Sequence, residues 1–392
     1  MLPVLVPFQH SRRAATSANI AAAFAPGAAL AYTGSNRTTD PVMNALVPVF
    51  DGHNDTLLQL YRAAEPDKER LFMEGAPASW HIDLPRAERG GFAGGMFAIF
   101  PPPADKAGSS APSAPSSDER LPPELAMDEA RASTLAMASI LLRLERAGAL
   151  KVCRSAADIR AAMEKGVIAA VFHIEGAEAI DPGLDMLDVL HAAGLRSLGL
   201  VWSRANAFGS GVPFRFPSPP DVGPGLTDAG KALVKACNRL KIMIDLSHLN
   251  EKGFRDVAAL SDAPLVATHS NVHAICASAR NLTDWQLGAI RETRGMVGLN
   301  FARGFLRPDG SMVQDADLDT MLRHVEALLD KLGEDGVGLG SDFDGAQIPS
   351  AIGDVSGLPR LIEALSRHGF GRELVEKIAW RNWLGVLERT IG

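Results

Sequence analysis

The chain has 392 residues, 46% hydrophobic and 22% charged, the balance of a globular enzyme with ample length for a core. A net charge of −7 without any basic run excludes a nucleic-acid partner. Three cysteines, Cys153, Cys237 and Cys276, contain no CxxC pair, which excludes a disulfide framework and a cysteine zinc site.

In chain order, residues 1–45 differ from the rest. The stretch "SRRAATSANIAAAFAPGAALAYTG" has paired arginines, a weakly apolar Ala/Gly run and Ala-Leu-Ala at 29–31. Two readings stand: a disordered extension, with Met43 as an alternative start, or a twin-arginine export signal over residues 1–31. Asn19 and Pro26 interrupt the apolar run, so a cytoplasmic protein is the expectation.

From residue 46 onward, short apolar runs alternate with helical stretches. Strands are expected at 46–50, 92–100, 167–174, 196–202, 241–247, 264–268, 295–301 and 337–341. Most are near-continuously apolar, as strands buried on both faces of a parallel sheet must be. Helical periodicity covers 126–147, 227–240, 284–293, 317–332 and 371–389, and "LTD" at 226–228 and 282–284 offers caps for two of these. The alternation predicts an α/β fold, a (β/α)8 TIM-type barrel with insertions over 46–392. A doubly wound sheet is the runner-up, but no GxGxxG follows the first strand. The Pro/Ser/Ala-rich segment 101–124 reads as a flexible loop on the rim. No apolar stretch reaches the ~18 residues of a membrane span. The final "WRNWLGVLERTIG" is amphipathic, so no lipid-anchor tail is expected.

Barrel active sites form at the C-terminal strand ends. His53 and Asp55 follow the first strand, and the third ends in His173 and Glu175. His248 and His269 end the fifth and sixth, and the eighth runs into Asp342 and Asp344. In extended chain, residues i and i+2 lie on one side ~6.5–7 Å apart. His53 and Asp55 can therefore share one cation, while His248 and His269, on neighbouring strands, share a second. Glu175 is the candidate bridge. Two metals ~3.5–4 Å apart would hold a bridging water as hydroxide, with Asp342 moving its proton to the leaving group. The His/carboxylate set points to zinc, although manganese or cobalt suits it too.

The motifs "DGHND", "IEG", "IDLSH", "THSN" with "CASARN", and "GSDFDG" resemble the membrane (renal-type) dipeptidases, peptidase family M19, over about Val47 to Asn382. The resemblance implies a binuclear zinc enzyme on an amidohydrolase-like barrel. His53 and Asp55 would hold one zinc, Glu175 would bridge, and His248 and His269 would hold the other. Asp342 would stand beside the bridging water, and Arg280 would bind the substrate's terminal carboxylate. In the animal enzymes a histidine ends the fourth strand near the scissile carbonyl; here that place holds Trp202. Either carbonyl polarisation then falls more heavily on zinc, or Arg204 reaches in.

The remaining polar residues have ordinary readings. His173 and Asp51 are expected deeper in the barrel as supports, Asp344 in a loop or cap, and His273 at best on the pocket lining. His81, His191, His324 and His368 are expected in solvent, Cys276 packed, and Trp380 and Trp383 on the barrel's outer wall. The expected function is hydrolysis of small dipeptides, including those with a C-terminal D-residue. A related amidohydrolase acting on a lactam, cyclic amide or N-acyl amino acid is the alternative, and a non-catalytic binding barrel a second one. No membrane anchor is expected, and a homodimer stays open.

Overall fold

The apolar runs form parallel strands, each covered by helices on one side and by the barrel interior on the other. The computed structural model describes residues 46–103 and 121–392. The N-terminal extension, with its alternative as an export signal, and all but the ends of the expected rim loop at 101–124 lie outside the described residues. Nine strands are present among the described residues: β1 (Val49–Asn54), β2 (Phe92–Ile99), β3 (Leu150–Val152), β4 (Ile168–Glu175), β5 (Leu195–Gly199), β6 (Met243–Asp245), β7 (Val266–Ala267), β8 (Met296–Asn300) and β9 (Val337–Gly340). Their order is β2-β1-β9-β8-β7-β6-β5-β4, and β4 pairs back onto β2 from Gly94↔Ala169 to Ile99↔Ile174. This closes an eight-stranded parallel barrel with helices between strands, the (β/α)8 architecture expected. The ninth strand, β3, pairs with the start of β4 and was not expected; three residues are too few to carry a periodic signal.

The helices Met127–Arg146, Asp228–Leu240, Asp284–Glu292 and Leu318–Leu332 follow the apolar periodicity. The side chain of Thr227 accepts from the Gly230 amide, satisfying one of the free donors of the first turn. At the second "LTD", Gln286 accepts from the Thr283 amide at 2.9 Å, half of a capping box.

Adjacent strand residues divide between two environments. Phe172 and Ile174 pack toward the helices, whereas Val171 joins Phe50, Met96, Met243, Val266 and Met296 in a cluster inside the barrel. Trp383 belongs to this inner cluster, which corrects its expected place on the outer wall. The C-terminal helix is interrupted by a π turn, Lys377–Arg381, before it resumes at Asn382. A π turn adds a residue to the helical repeat and so rotates the residues beyond it. The Trp383 ring is fully buried against Gly52 of β1, where a Cβ would overlap it, and its N–H donates to the Leu339 carbonyl at 2.8 Å. His324 also departs from expectation. It is fully buried, its Nδ1 accepts from the Val272 amide at 3.2 Å, and its Nε2 lies 2.9 Å from the Leu306 carbonyl. Burial pushes its pKa down to about 4, so the neutral ring fits this pairing.

Trp383→Ala is expected to cost about 3–5 kcal/mol of unfolding free energy in chemical denaturation, through the cavity it opens between strands. Trp383→Phe should recover part of this. A loss below about 1 kcal/mol for the alanine variant would show that Trp383 is not part of the barrel's packing.

Candidate metal centre

The strand ends bring the polar residues together, with one local device. Between Asp51 and Asn54, β1 carries one residue more than β2 does between Gly95 and Phe97. Such a bulge re-aims the side chains around it, so simple alternation does not describe this strand. His53 lies at the bulge. Asp55 follows it as the first residue before the helix Thr56–Arg62.

Glu175, the last residue of β4, sits between the two candidate ligand pairs. Its Oε1 lies 3.0 Å from His248 Nε2, 3.4 Å from His269 Nε2 and 3.8 Å from His53 Nε2. His53 Nε2 is 3.5 Å from Asp55 Oδ2, and the Nε2 atoms of His248 and His269 are 3.1 Å apart. Ligand atoms of His53, Glu175 and His269, and separately of His53, Asp55 and Asp342, lie within 4.8 Å of one another. All six of these residues are buried or nearly so. His248 and Asp342 adopt left-handed backbone, with φ of 66° and 59°. That conformation is costly for a side-chain-bearing residue, and such costs concentrate at functional sites.

The electrostatics favour a cation. Burial pushes the carboxyl of Glu175 well above its ordinary range and that of Asp342 upward. Burial also pushes His248 and His269 well below theirs, so both rings are neutral and offer lone pairs. Burial acts in the same direction on His53, but the neighbouring Glu175 and Asp55 carboxylates outweigh it and raise it to about 10.

Hydroxyl groups fix which ring nitrogen faces the centre. Thr268 Oγ1 donates to Asp245 Oδ2 at 2.6 Å, so at 2.8 Å from His269 Nδ1 it accepts the ring proton. His269 Nε2 is left as a lone pair toward Glu175. Ser203 Oγ lies 2.8 Å from His248 Nδ1 and holds that ring by a hydrogen bond. Asn300, the last residue of β8, donates from Nδ2 to Asp342 Oδ2 at 3.0 Å. Asp245 and Thr268 stand inside the motifs "IDLSH" and "THSN", and Ser203 comes directly after Trp202. Nothing in spacing alone distinguished them or Asn300 as supports.

The fit to metal is direct. Both nitrogens of His53 and Oδ1 of Asp55 are buried without a hydrogen-bond partner among the described residues. Two imidazole Nε2 atoms face each other across a carboxylate, an arrangement with no shared proton to stabilise it and a good match to a divalent ion. His53 and Asp55 would hold ions on one side, His248 and His269 on the other, with Glu175 between.

Other residues take distinct places. His173 is fully buried edge-on to His53, its Nδ1 2.9 Å from Ser197 Oγ and its Nε2 3.7 Å from Asp245 Oδ2. Asp51 binds the Ser341 amide and hydroxyl at 2.7 and 2.8 Å, joining β1 to the end of β9. Asp344 accepts from the His81 amide at 2.6 Å, and its own amide donates to His81 Nδ1 at 2.8 Å; His81, expected in solvent, is thus held in the fold. Arg280 is buried, with Nη2 on the His269 carbonyl at 3.0 Å and Nε without a partner among the described residues. Trp202 is half-buried, its ring 5.9 Å from that of His248. Arg204 does not join the ligands. It is sealed behind Trp202, with Nε on Glu178 at 2.6 Å and Nη2 on the Pro101 carbonyl at 2.8 Å. Cys276 is packed, its thiol pushed up to about 12 by burial.

Ser203→Ala and Thr268→Val are each expected to weaken metal retention by about 10–100-fold while the fold survives. Chelator competition with a parallel thermal melt checks this, and retention equal to wild type would leave the two hydroxyls without a role in holding the rings.

A family model described as membrane dipeptidase (peptidase family M19) matches residues 37–391. A Klebsiella pneumoniae protein of the pqqA 5′ region is 53% identical over 244 residues, covering 62% of this chain and 90% of that protein. The crystal structure of a metallopeptidase from Rhodobacter sphaeroides, liganded with a phosphinate mimic of the dipeptide L-Ala-D-Ala, superposes with a TM-score of 0.84 at 54% identity, over 88% of this chain and all of that one. The probable dipeptidase PvdM from Pseudomonas aeruginosa shares the fold, with a TM-score of 0.74 at 23% identity over 88% of this chain and 96% of that one. No helix among the described residues is long and apolar enough to cross a membrane. With its barrel, its ligand cluster and a family match over nearly the whole described length, the chain belongs to the membrane dipeptidase family, peptidase family M19, and is a metal-dependent peptidase.

Proposed function

We propose that the protein is a binuclear zinc dipeptidase that hydrolyses the single peptide bond of small dipeptides, including those with a D-residue at the C-terminal position. The observation that carries this is the position of Glu175 Oε1, within 3.0–3.8 Å of the imidazoles of both ligand pairs. The D-residue extension draws support from the L-Ala-D-Ala mimic held by the Rhodobacter sphaeroides relative. When bound, the metal ions supply Lewis acidity toward the carbonyl oxygen and acidify water. The chain's own residues do the rest. Asp342, beside Asp55 and steadied by Asn300, takes a proton from the attacking water as its oxygen adds to the carbonyl carbon. It returns that proton to the amine nitrogen as the C–N bond breaks, so two free amino acids leave. Arg280 holds the terminal carboxylate by charge-assisted hydrogen bonds, which restricts the site to short substrates. Trp202 stands where the family's animal members carry a histidine; its indole N–H can donate but, unlike an imidazole, cannot take or give a proton at neutral pH.

Purified protein should contain about two zinc per chain and release free amino acids from L,L- and L,D-dipeptides, with activity abolished by a chelator and restored by zinc. Fewer than one metal per chain would remove the binuclear reading. Turnover confined to lactams or N-acyl amino acids would move the assignment to the related amidohydrolase. Asp342→Asn should keep its metal and lose about 10²–10⁴-fold in kcat. Asn300→Ala should lower kcat by itself yet cost little more in the Asp342→Asn background, since it acts through that carboxylate. Additive losses would separate Asn300 from Asp342.

A further inference from the structure

Above the ligands, aromatic side chains form a continuous wall that the chemistry of bond cleavage does not require. Trp202 follows β5, Phe214 lies in the loop after it, and Phe305 belongs to the short helix Arg303–Leu306 after β8. The rings of Trp202 and Phe214 are 5.4 Å apart, and those of Phe214 and Phe305 are 6.2 Å apart with planes only 12° from parallel. The wall begins at His248, whose ring is 5.9 Å from Trp202 and 6.3 Å from Phe214. It ends at Arg280, whose guanidinium lies 5.3 Å from the centre of Phe305.

Phe214 is pinned on both sides. The Val212 amide donates to the carbonyl of His248 at 2.9 Å, and the Ser218 amide donates to that of Ala277 at 2.9 Å. Both anchors are on segments that carry site residues, the first on His248 itself and the second three residues before Arg280. The half-buried ring is therefore held at the site by the backbone around it.

We infer that Phe214, with Trp202 and Phe305, reads the side chain of the substrate's C-terminal residue and selects an uncharged, apolar one. This rests on the dipeptidase reading. If Arg280 takes the terminal carboxylate and the scissile carbonyl lies at the ligand cluster, the residue between them is the C-terminal one. Its side chain runs along the wall between Arg280 and His248. An apolar side chain gains by leaving water against these rings. An anionic one would face ring carbons that offer no hydrogen bond to offset its lost hydration. A cationic one meets the guanidinium of Arg280, already placed at the end of the wall 5.3 Å from the centre of Phe305, and ring faces that offer it no anionic partner.

The test is a kcat/KM panel of the zinc-loaded full chain on dipeptides Ala-Xaa with Xaa as Gly, Ala, Leu, Asp or Lys, in both configurations at Xaa. Leu is expected to exceed Gly by about tenfold or more, with Asp and Lys below Gly. Phe214→Ala should bring Leu close to Gly, mainly through KM, with metal content and melting temperature checking that the variant is folded. Phe214→Lys should raise Asp relative to Leu. A wild-type preference for Asp or Lys overturns the inference, even if no variant folds. So does a Leu-to-Gly ratio that Phe214→Ala leaves unchanged. Cleavage of no dipeptide at all would overturn the dipeptidase reading together with this one, whereas cleavage without the apolar preference removes this one alone.

Discussion

Glu175 sets the terms for the whole molecule. A carboxylate buried at the end of β4, with Asp55 and Asp342 close by, is an electrostatic cost that neutral imidazoles cannot offset. Ring nitrogens of three histidines and the oxygens of these acids converge instead of separating, an arrangement that positive charge relieves. The barrel is what makes such crowding feasible, because the site residues enter from the ends of five strands, with only His53 and Asp55 sharing one. A single helix or hairpin would have to supply several of them from neighbouring positions.

Around that centre the structure devotes its polar groups to orientation. Asp245 accepts from Thr268, which in turn accepts from His269, so a carboxylate on β6 determines the face shown by a ring on the next segment. Asp51 does comparable work between β1 and β9 by holding Ser341, one residue before Asp342. Left-handed backbone at His248 and Asp342 belongs to the same pattern, since the surrounding hydrogen bonds keep each residue where its own preference would not.

Much of this was legible in the sequence because a parallel barrel writes its function at strand ends. Apolar runs marked the strands, and His53, Asp55, Glu175, His248, His269 and Asp342, read at their ends, are brought together there as candidates for a metal site. What could not be read were features that break periodicity or act at long range. The bulge in β1 shifts side chains by one residue with no mark in composition. The π turn at Lys377–Arg381 reads as ordinary helix, which puts Trp383 on an outer face. His324 sits in a helix like any other, and only the approach of Val272 and Leu306 makes it a buried linker. Arg204 looked available because its partner Glu178 is distant from it in sequence. The supports Ser203, Thr268, Asp245 and Asn300 have common side chains whose roles exist only in three dimensions.

The contact between Trp383 and Gly52 links the two extremes of the described chain. Gly52 immediately precedes His53, so the backbone beside the first site residue to emerge during synthesis packs on an indole that emerges among the last residues. The interior beneath that residue stays incomplete until the final helix has docked, however early the other strands have paired. Such a long-range closure slows folding but gives it a definite end point. A chain shortened by its last helical turns would therefore lack the packing beneath β1 and β9 as well as an outer element.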